Sequence, residues 1–350
     1  MTTVAAATGP ESVSEPSSEP STRRKGYGRY LLGKVLGALG SLLFVLVVNF
    51  FLFRVLPGDP ARSLTRGRVV SKEQLEAFRE QYGLDQPLPQ QFLTYLQNTA
   101  QGDLGVSIRY NVPVSELIVD RMWPTIALVG VSTLLSTVIG VYLGMVSAWR
   151  RGGGFDRFST GSTLILYSMP EWWLGLLLIA GLSVGAGPLP GIFPTGGLHS
   201  VDADPGSLGG MLDASWHLTL PVLTLTLAYL AEYSLIMRSS LLDELGEDYL
   251  VTARAKGLRD VEVRRRHAVP NALLPTTTLA ALNIGFVVSG AITIETIFSI
   301  PGLGLLSYEA LSIPDYDVLQ GTFLLASGAV IGANLVANLI YGVLDPRVRT

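Results

Sequence analysis

Pro124-Thr-Ile-Ala-Leu-Val-Gly-Val-Ser-Thr-Leu-Leu-Ser-Thr-Val-Ile-Gly-Val-Tyr-Leu-Gly-Met-Val-Ser-Ala148 contains no charged side chain and runs into Trp149, Arg150 and Arg151. A helix needs about 20 mostly apolar residues to cross the hydrocarbon core of a bilayer. This stretch meets that length, and an aromatic and basic boundary is what a membrane interface favours. Five further runs qualify: Leu31 to Val55, Thr160 to Val184, Trp216 to Met237, Ala272 to Phe298 and Val318 to Leu344. The composition agrees, with 48% hydrophobic and 15% charged residues, against about 25% charged in a soluble domain. The pattern predicts an all-α polytopic membrane protein with six transmembrane helices. The absence of cysteine excludes disulfides, thiolate metal sites and cysteine nucleophiles. A net charge of −3 exerts no global pull toward nucleic acid.

Residues 1–26 are mostly Ala, Thr, Ser, Glu and Pro and have little to bury, so a disordered tail is expected. Residues 27–56 supply transmembrane helix 1, which no small-residue cleavage site follows. Lys and Arg crowd the segments before span 1, between spans 2 and 3, between spans 4 and 5, and after span 6, whereas the short loops between spans 3 and 4 and between 5 and 6 have none. The positive-inside rule therefore puts both termini, including residues 345–350, and the basic loop 238–271 in the cytoplasm. The remaining transmembrane core occupies residues 124–344.

Residues 57–123 then form an extracytoplasmic cap. Ser71-Lys-Glu-Gln74 has the pattern of a capping box before Leu75, Phe78 and Tyr82, and Gly83 supplies a stop. Pro87 and Pro89 precede Phe92, Tyr95, Leu96 and Thr99 at helical spacing. Two helices resting on the outer membrane face are expected, open to lipid or to an external protein. Gly33-x-x-x-Gly37, Gly140-x-x-x-Gly144 and Gly181-x-x-x-Gly185 are candidates for close helix packing. Asn49, Asn283, Asn334 and Asn338 are expected to bridge helices.

Catalytic patterns fail on inspection. His199, His217 and His267 fall in an outer loop, at a span boundary and in the cytoplasmic loop, so no convergent metal site is expected. Gly28-Arg-Tyr-Leu-Leu-Gly33-Lys34-Val35 approaches a phosphate loop, but Val35 lacks the magnesium-binding hydroxyl and the stretch enters a span rather than following a strand. Energy input must come from another chain.

The chemistry-bearing segment is Asp248-Tyr-Leu-Val-Thr-Ala253-Arg-Ala255-Lys-Gly257-Leu-Arg-Asp-Val-Glu-Val-Arg-Arg-Arg-His267-Ala-Val-Pro270-Asn271. Tyr249, Ala253 and Gly257 would share one face of a short helix, with small residues admitting another protein's surface. This loop resembles the EAA signature of ABC-importer permeases: Glu-Ala-Ala, three residues, Gly, nine residues, Ile, one residue, Leu, Pro. Ala253, Gly257 and Pro270 match, while Val251, Thr252, His267 and Val269 depart from it. The Thr-Ala-Arg-Ala-Lys-Gly form is similar to the dipeptide and oligopeptide branch, first (B-type) permease subunit. Leu56-Pro-Gly-Asp-Pro60, Gly83-Leu-Asp-Gln-Pro87, Gly102-Asp-Leu-Gly105 with Ser107, and Glu295-Thr-Ile-Phe298-Ser-Ile-Pro301-Gly302-Leu-Gly304 resemble family motifs in family order. Where relatives often carry Arg-Asp-Tyr-Pro, this chain has Pro314-Asp315-Tyr316-Asp317.

The resemblance implies a type I importer permease forming half of a translocation pathway for di- or oligopeptides, or for nickel or another small solute in a related system. It implies pairing with a second homologous permease, two ATPase subunits or domains that carry ATP and magnesium, and an extracytoplasmic peptide-binding protein. This chain would bind no cofactor and catalyse nothing. Tyr249, Ala253, Arg254, Ala255, Gly257 and Pro270 would couple to the ATPase, and Glu295, Phe298, Pro301, Gly302 and Gly304 would form an outer gate. A self-contained channel or ion-coupled carrier is the alternative of a different class; a carrier would show matching broken helices in two inverted halves, and these halves are unlike. Within the spans, Glu171 beside Trp172, and Glu232, would either hold a peptide's amino terminus by charge and cation–π contact or sit hydrogen-bonded or protonated between helices.

Overall fold

The computed structural model describes residues 27–55, 73, 76, 85–185, 190–287 and 290–344. The expected tail, the Leu56–Pro60 motif, nearly all of the first cap helix and residues 345–350 lie outside them.

Twelve α-helices are described. Helix α1 is Tyr27–Phe50, extended by π-helical turns over Phe51–Val55. Helix α2 is Leu88–Ala100, α3 Val114–Trp149, α4 Gly154–Ser168, α5 Glu171–Leu178 and α6 Leu208–Glu244. Then follow α7 Asp248–Ala255, α8 Asp260–Val263, α9 Val269–Val287, α10 Ile292–Ile297, α11 Leu303–Ser312 and α12 Tyr316–Leu344. Helix α2 bears out the amphipathic reading of the second cap segment, and Pro89 in its first turn needs no hydrogen-bond partner there.

Four helices, α1, α3, α6 and α12, are long and apolar enough to cross a membrane unbroken. The expected third span, Thr160 to Val184, is instead a helix pair bent by 103°. Pro170 has no N–H to continue the ladder and forces Met169 into the extended region (φ −85°, ψ 128°), so α4 must stop and α5 starts in a new direction. The expected fifth span, Ala272 to Phe298, also divides, into α9 and the short α10, with Gly290 at φ +83° between them. Helix α3 begins at Val114, ahead of the expected span, and passes through Pro124.

Helices α3 and α6 form the spine, running parallel. A Cβ on Gly140 would meet the Leu230 carbonyl at 2.9 Å and Tyr233 Cβ at 2.7 Å, and one on Gly144 would meet the Ser234 carbonyl at 2.5 Å. In lipid, helix association rests on van der Waals packing and interhelical hydrogen bonds, so this backbone approach is the stabilising contact. The other two glycine pairs do not pack so: Gly33, Gly37 and Gly181 have open space at the Cβ position, and Gly185 has φ +92° and ends the π-helical stretch Ile179–Val184.

Asn side chains join helices, one of them to this spine and two among the outer helices. Asn49 donates to the Gln320 carbonyl and the Tyr95 hydroxyl, Asn283 donates to the Tyr233 hydroxyl, and Asn338 accepts from Lys34 at 2.8 Å. Asn334 contributes only its carbonyl, within its own helix. Three buried clusters result. One surrounds Leu128, Leu225, Ile294 and Phe298; the second joins Val114, Ile118, Leu306 and Val318; the third joins Met237, Leu241, Leu250 and Val263.

Candidate functional site

The third cluster supports the Arg-rich segment. Helix α7 ends in a Schellman motif: the Gly257 N–H donates to the Arg254 carbonyl at 2.9 Å and the Leu258 N–H to the Ala253 carbonyl at 3.4 Å. Gly257 adopts φ +81°, which L side chains rarely tolerate. Leu258 then packs on the cluster, and α8 opens with the Arg259 N–H donating to the Glu262 carboxylate at 3.4 Å. π-helical turns over Arg264–Ala268 lead into α9 and Pro270.

Tyr249 and Ala253 share a face of α7; Ala253 is buried with Leu250 in the cluster, while Tyr249 is exposed. The Tyr249 hydroxyl donates to the Glu244 carboxylate at the end of α6, accepts from Asn271 Nδ2 at 2.9 Å and lies 3.3 Å from the His267 carbonyl. Desolvation and the Glu244 bond push this phenol up from its ordinary value. The exposed surface here includes Tyr249, Val251, Ala255, Gly257, Val261 and Pro270, with Arg254 paired to Asp260 at 3.2 Å.

At the root of this segment, Arg238 of α6 holds Asp156 of α4 through Nε at 2.8 Å and Nη2 at 3.0 Å. Asp156 is buried and also accepts from the Gly152 N–H and the Thr160 hydroxyl. Arg264 stacks 4.8 Å from the Trp149 ring centroid, tying α3 to the same region.

Glu171 sits at the bend, as the first residue of α5. Glu171 and Glu232 are each half-buried, on α5 and α6 respectively. Trp172 and Trp173 are exposed by 47% and 42%.

Glu295 is fully buried. Its carboxylate accepts from the Thr125 hydroxyl at 2.9 Å, the Ala291 N–H at 3.2 Å and the Leu305 N–H at 3.0 Å. A Cβ on Gly302 or Gly304 would strike that carboxylate at 2.4 or 2.9 Å. Phe298 is buried against Leu128 and Leu225, while Pro301 leads into the turn. The motif is thus a cage that ties α10 and α11 to α3.

Two motifs far apart in sequence also meet. Asp315 accepts from the Ser107 hydroxyl at 2.7 Å and the Ile108 N–H at 3.0 Å, and Asp317 lies over Gly105. His199 and His217 both approach Asp213, within 3.7 and 3.6 Å. That convergence was not expected from their positions; His217 lies one helical turn after Asp213, and the loop folds Ser200 back onto the same carboxylate. Among the described residues no group of three or more His, Asp or Glu could hold a metal.

Residues 140–350 match the family described as binding-protein-dependent transport system inner membrane component, and residues 28–129 match the N-terminal region of the same membrane components. The chain belongs to this family. Among the permease's relatives are the dipeptide transport system permease protein DppB of Escherichia coli K12, 37% identical over 92% of this chain and 98% of its own length, and the oligopeptide transport system permease protein AppB of Bacillus subtilis, 36% identical over 91% and 98%. The glutathione transport system permease protein GsiC of Pectobacterium atrosepticum is 38% identical over 91% and 98%. A solved structure of the MetNI methionine ABC transporter aligns at TM-score 0.47 and 20% identity, covering 67% of this chain and 96% of that one. The permease is a multi-pass inner-membrane transport component.

Proposed function

We infer that this permease forms half of the translocation pathway of an ATP-driven importer for di- or oligopeptides. A second homologous permease completes the pathway, two ATPase subunits or domains dock on α7 and α8, and an extracytoplasmic peptide-binding protein delivers substrate. ATP and magnesium reside on the ATPase chains, and this chain is non-catalytic. Both termini and the Arg-rich segment are cytoplasmic, in accord with the distribution of Lys and Arg.

One observation carries the coupling role: a short helix stopped by a Schellman glycine presents Val251 (59% exposed) and Ala255 outward, joined by Val261 (63% exposed) of α8, while Leu250 and Ala253 on its other side pack into the chain's own core. Movement of that helix would be transmitted rather than absorbed. Through Arg238 and Asp156 it reaches α4, and through the bend it reaches Glu171. Glu171 beside Trp172, and Glu232, suit a cationic peptide amino terminus, by charge and aromatic contact. Nucleotide binding then biases a bistable arrangement of helices. The Glu295 cage keeps the outer end of the pathway rigid against α3.

The test is affinity purification of the chain from native membranes, identification of stoichiometric partners and measurement of peptide-stimulated ATP hydrolysis by the reconstituted complex. Recovery of a second permease, ATPases and a binding protein whose peptides stimulate hydrolysis is expected. Recovery of this chain alone, with solute flux independent of ATP, would replace the importer reading with a channel or carrier.

A further inference from the structure

The loop that joins α5 to α6 is seated at three points. At its start the Ile192 N–H donates to the Leu182 carbonyl at 2.7 Å and the Ser183 hydroxyl to the Pro194 carbonyl at 3.0 Å, so the loop folds back on the turns that extend α5. In its middle the Gly197 N–H donates to the Phe298 carbonyl at 2.8 Å, and a Cβ on Gly196 would meet that carbonyl at 2.6 Å. Leu198 is buried in the first cluster. The third seat is on α6, where the Ser200 N–H and hydroxyl donate to the Asp213 carboxylate at 2.6 and 2.7 Å.

Two imidazoles share that carboxylate, and neither the coupling surface nor the pathway uses them. His199 Nδ1 is buried, makes no hydrogen bond and lies 3.7 Å from Asp213 Oδ2. His217 is buried on α6; its Nδ1 donates to the Asp213 carbonyl at 2.9 Å and stands 3.6 Å from Oδ1. Among the described residues no such group can hold a metal, so the cation these side chains take up is a proton. A carboxylate beside an imidazole favours its charged form, and an ordinary imidazole titrates near about 6.5.

No other charge competes for Asp213, on which these two rings are the charged groups that act. Asp202 and Asp204 lie further along the loop, and Glu295 of α10 is enclosed in its cage. Glu171 is at the end of α5 away from the loop, and Glu232 lies well down α6. Helix α3 carries no charged side chain from Met122 to Trp149, and no Lys or Arg occurs between Arg157 and Arg238.

We propose that Asp213, His199 and His217 form an acid-strengthened latch, in which a proton taken by each ring from the outside medium clamps this loop onto α6 and, through Gly197 and Phe298, onto α10. Because the loop also grips the turns after α5, closing the latch fixes the outer part of the bent α4–α5 pair. Turnover therefore slows in acid. The latch is independent of which solute is carried; its effect on turnover rests on the importer reading.

The test is hydrogen exchange of the assembled complex in nanodiscs at pH 7.5 and 5.5, read as protection relative to intrinsic exchange. Protection of the Gly197–Ser200 amides should rise at least fivefold at the lower pH. His199→Gln combined with His217→Gln should abolish that rise, and Asp213→Asn should lower protection at both pH values. His199→Gln alone, a loop substitution, should at least halve the rise if the double variant does not assemble. Protection that is the same at both pH values in the unsubstituted chain would overturn the latch, as would an unchanged rise in the His variants. For turnover, ATP hydrolysis at pH 5.5, relative to its value at 7.5, should be at least threefold higher in the His variant than in the unsubstituted complex; equal ratios would overturn the effect on turnover. A complex that hydrolyses no ATP at either pH would fail the importer reading, while hydrogen exchange still decides the latch.

Discussion

Arg238 engages Asp156 with two nitrogens, at 2.8 and 3.0 Å, joining the end of α6 to the start of α4 immediately before the Arg-rich segment begins. Removing one member of a buried pair leaves an uncompensated charge and costs about 3–5 kcal/mol. Arg238→Met should therefore lower the thermal midpoint of the purified complex and weaken ATPase coupling. The double variant Arg238→Met with Asp156→Leu should recover much of the stability without recovering coupling. Thermal unfolding followed by size exclusion, alongside substrate-stimulated hydrolysis, separates the two effects.

Gly257 stands where φ is +81°. A non-glycine residue in that region costs roughly 1–2 kcal/mol, and a branched side chain would also project from the outward surface. Gly257→Val should abolish uptake and detach the ATPase while the chain still inserts into the membrane. Gly257→Asn, which tolerates left-handed backbone better, should retain a measurable fraction of uptake. Normal uptake by the Val variant would refute the docking role.

For the pathway, Glu171→Gln should raise the KM for peptide uptake several-fold with ATPase assembly unchanged. Unaltered transport kinetics would make the carboxylate a structural residue of the bend.

Glu295→Ala would strip the acceptor from the Thr125 hydroxyl and from the Ala291 and Leu305 N–H groups. Leaving buried donors unsatisfied costs about 1–3 kcal/mol each, so this variant should be recovered poorly and unfold at lower temperature than Glu295→Gln. Equal stability of the two would contradict the cage.

Much of this was legible in the sequence because it is local. The apolar runs that became α1, α3, α6 and α12, the helical spacing of α2 and the stop at Gly257 each depend on residues within a few turns of one another. The bend at Pro170 was hidden because hydropathy continues unchanged across it, and hydropathy records solvent preference rather than direction. For α7, spacing shows that Tyr249 and Ala253 lie together, but only the packing of Leu250 and Val263 shows that Ala253 is buried while Tyr249 stays exposed. Glu295 stood out as part of a motif, yet its Thr125 partner lies 170 residues away. Asp156 and Arg238, 82 residues apart, gave no local signal at all.

The glycine contact between α3 and α6 has a mechanical corollary. With backbone seated on backbone at Gly140 and Gly144 there is no layer of side chains to shear, so the two helices must tilt as one beam. Helix α6 has 37 residues, about 55 Å at 1.5 Å per residue. Pro221 removes one rung of the α6 ladder, so an angular displacement at one membrane surface reaches the other with flexure at Pro221 and at the two proline and glycine breaks beside the beam.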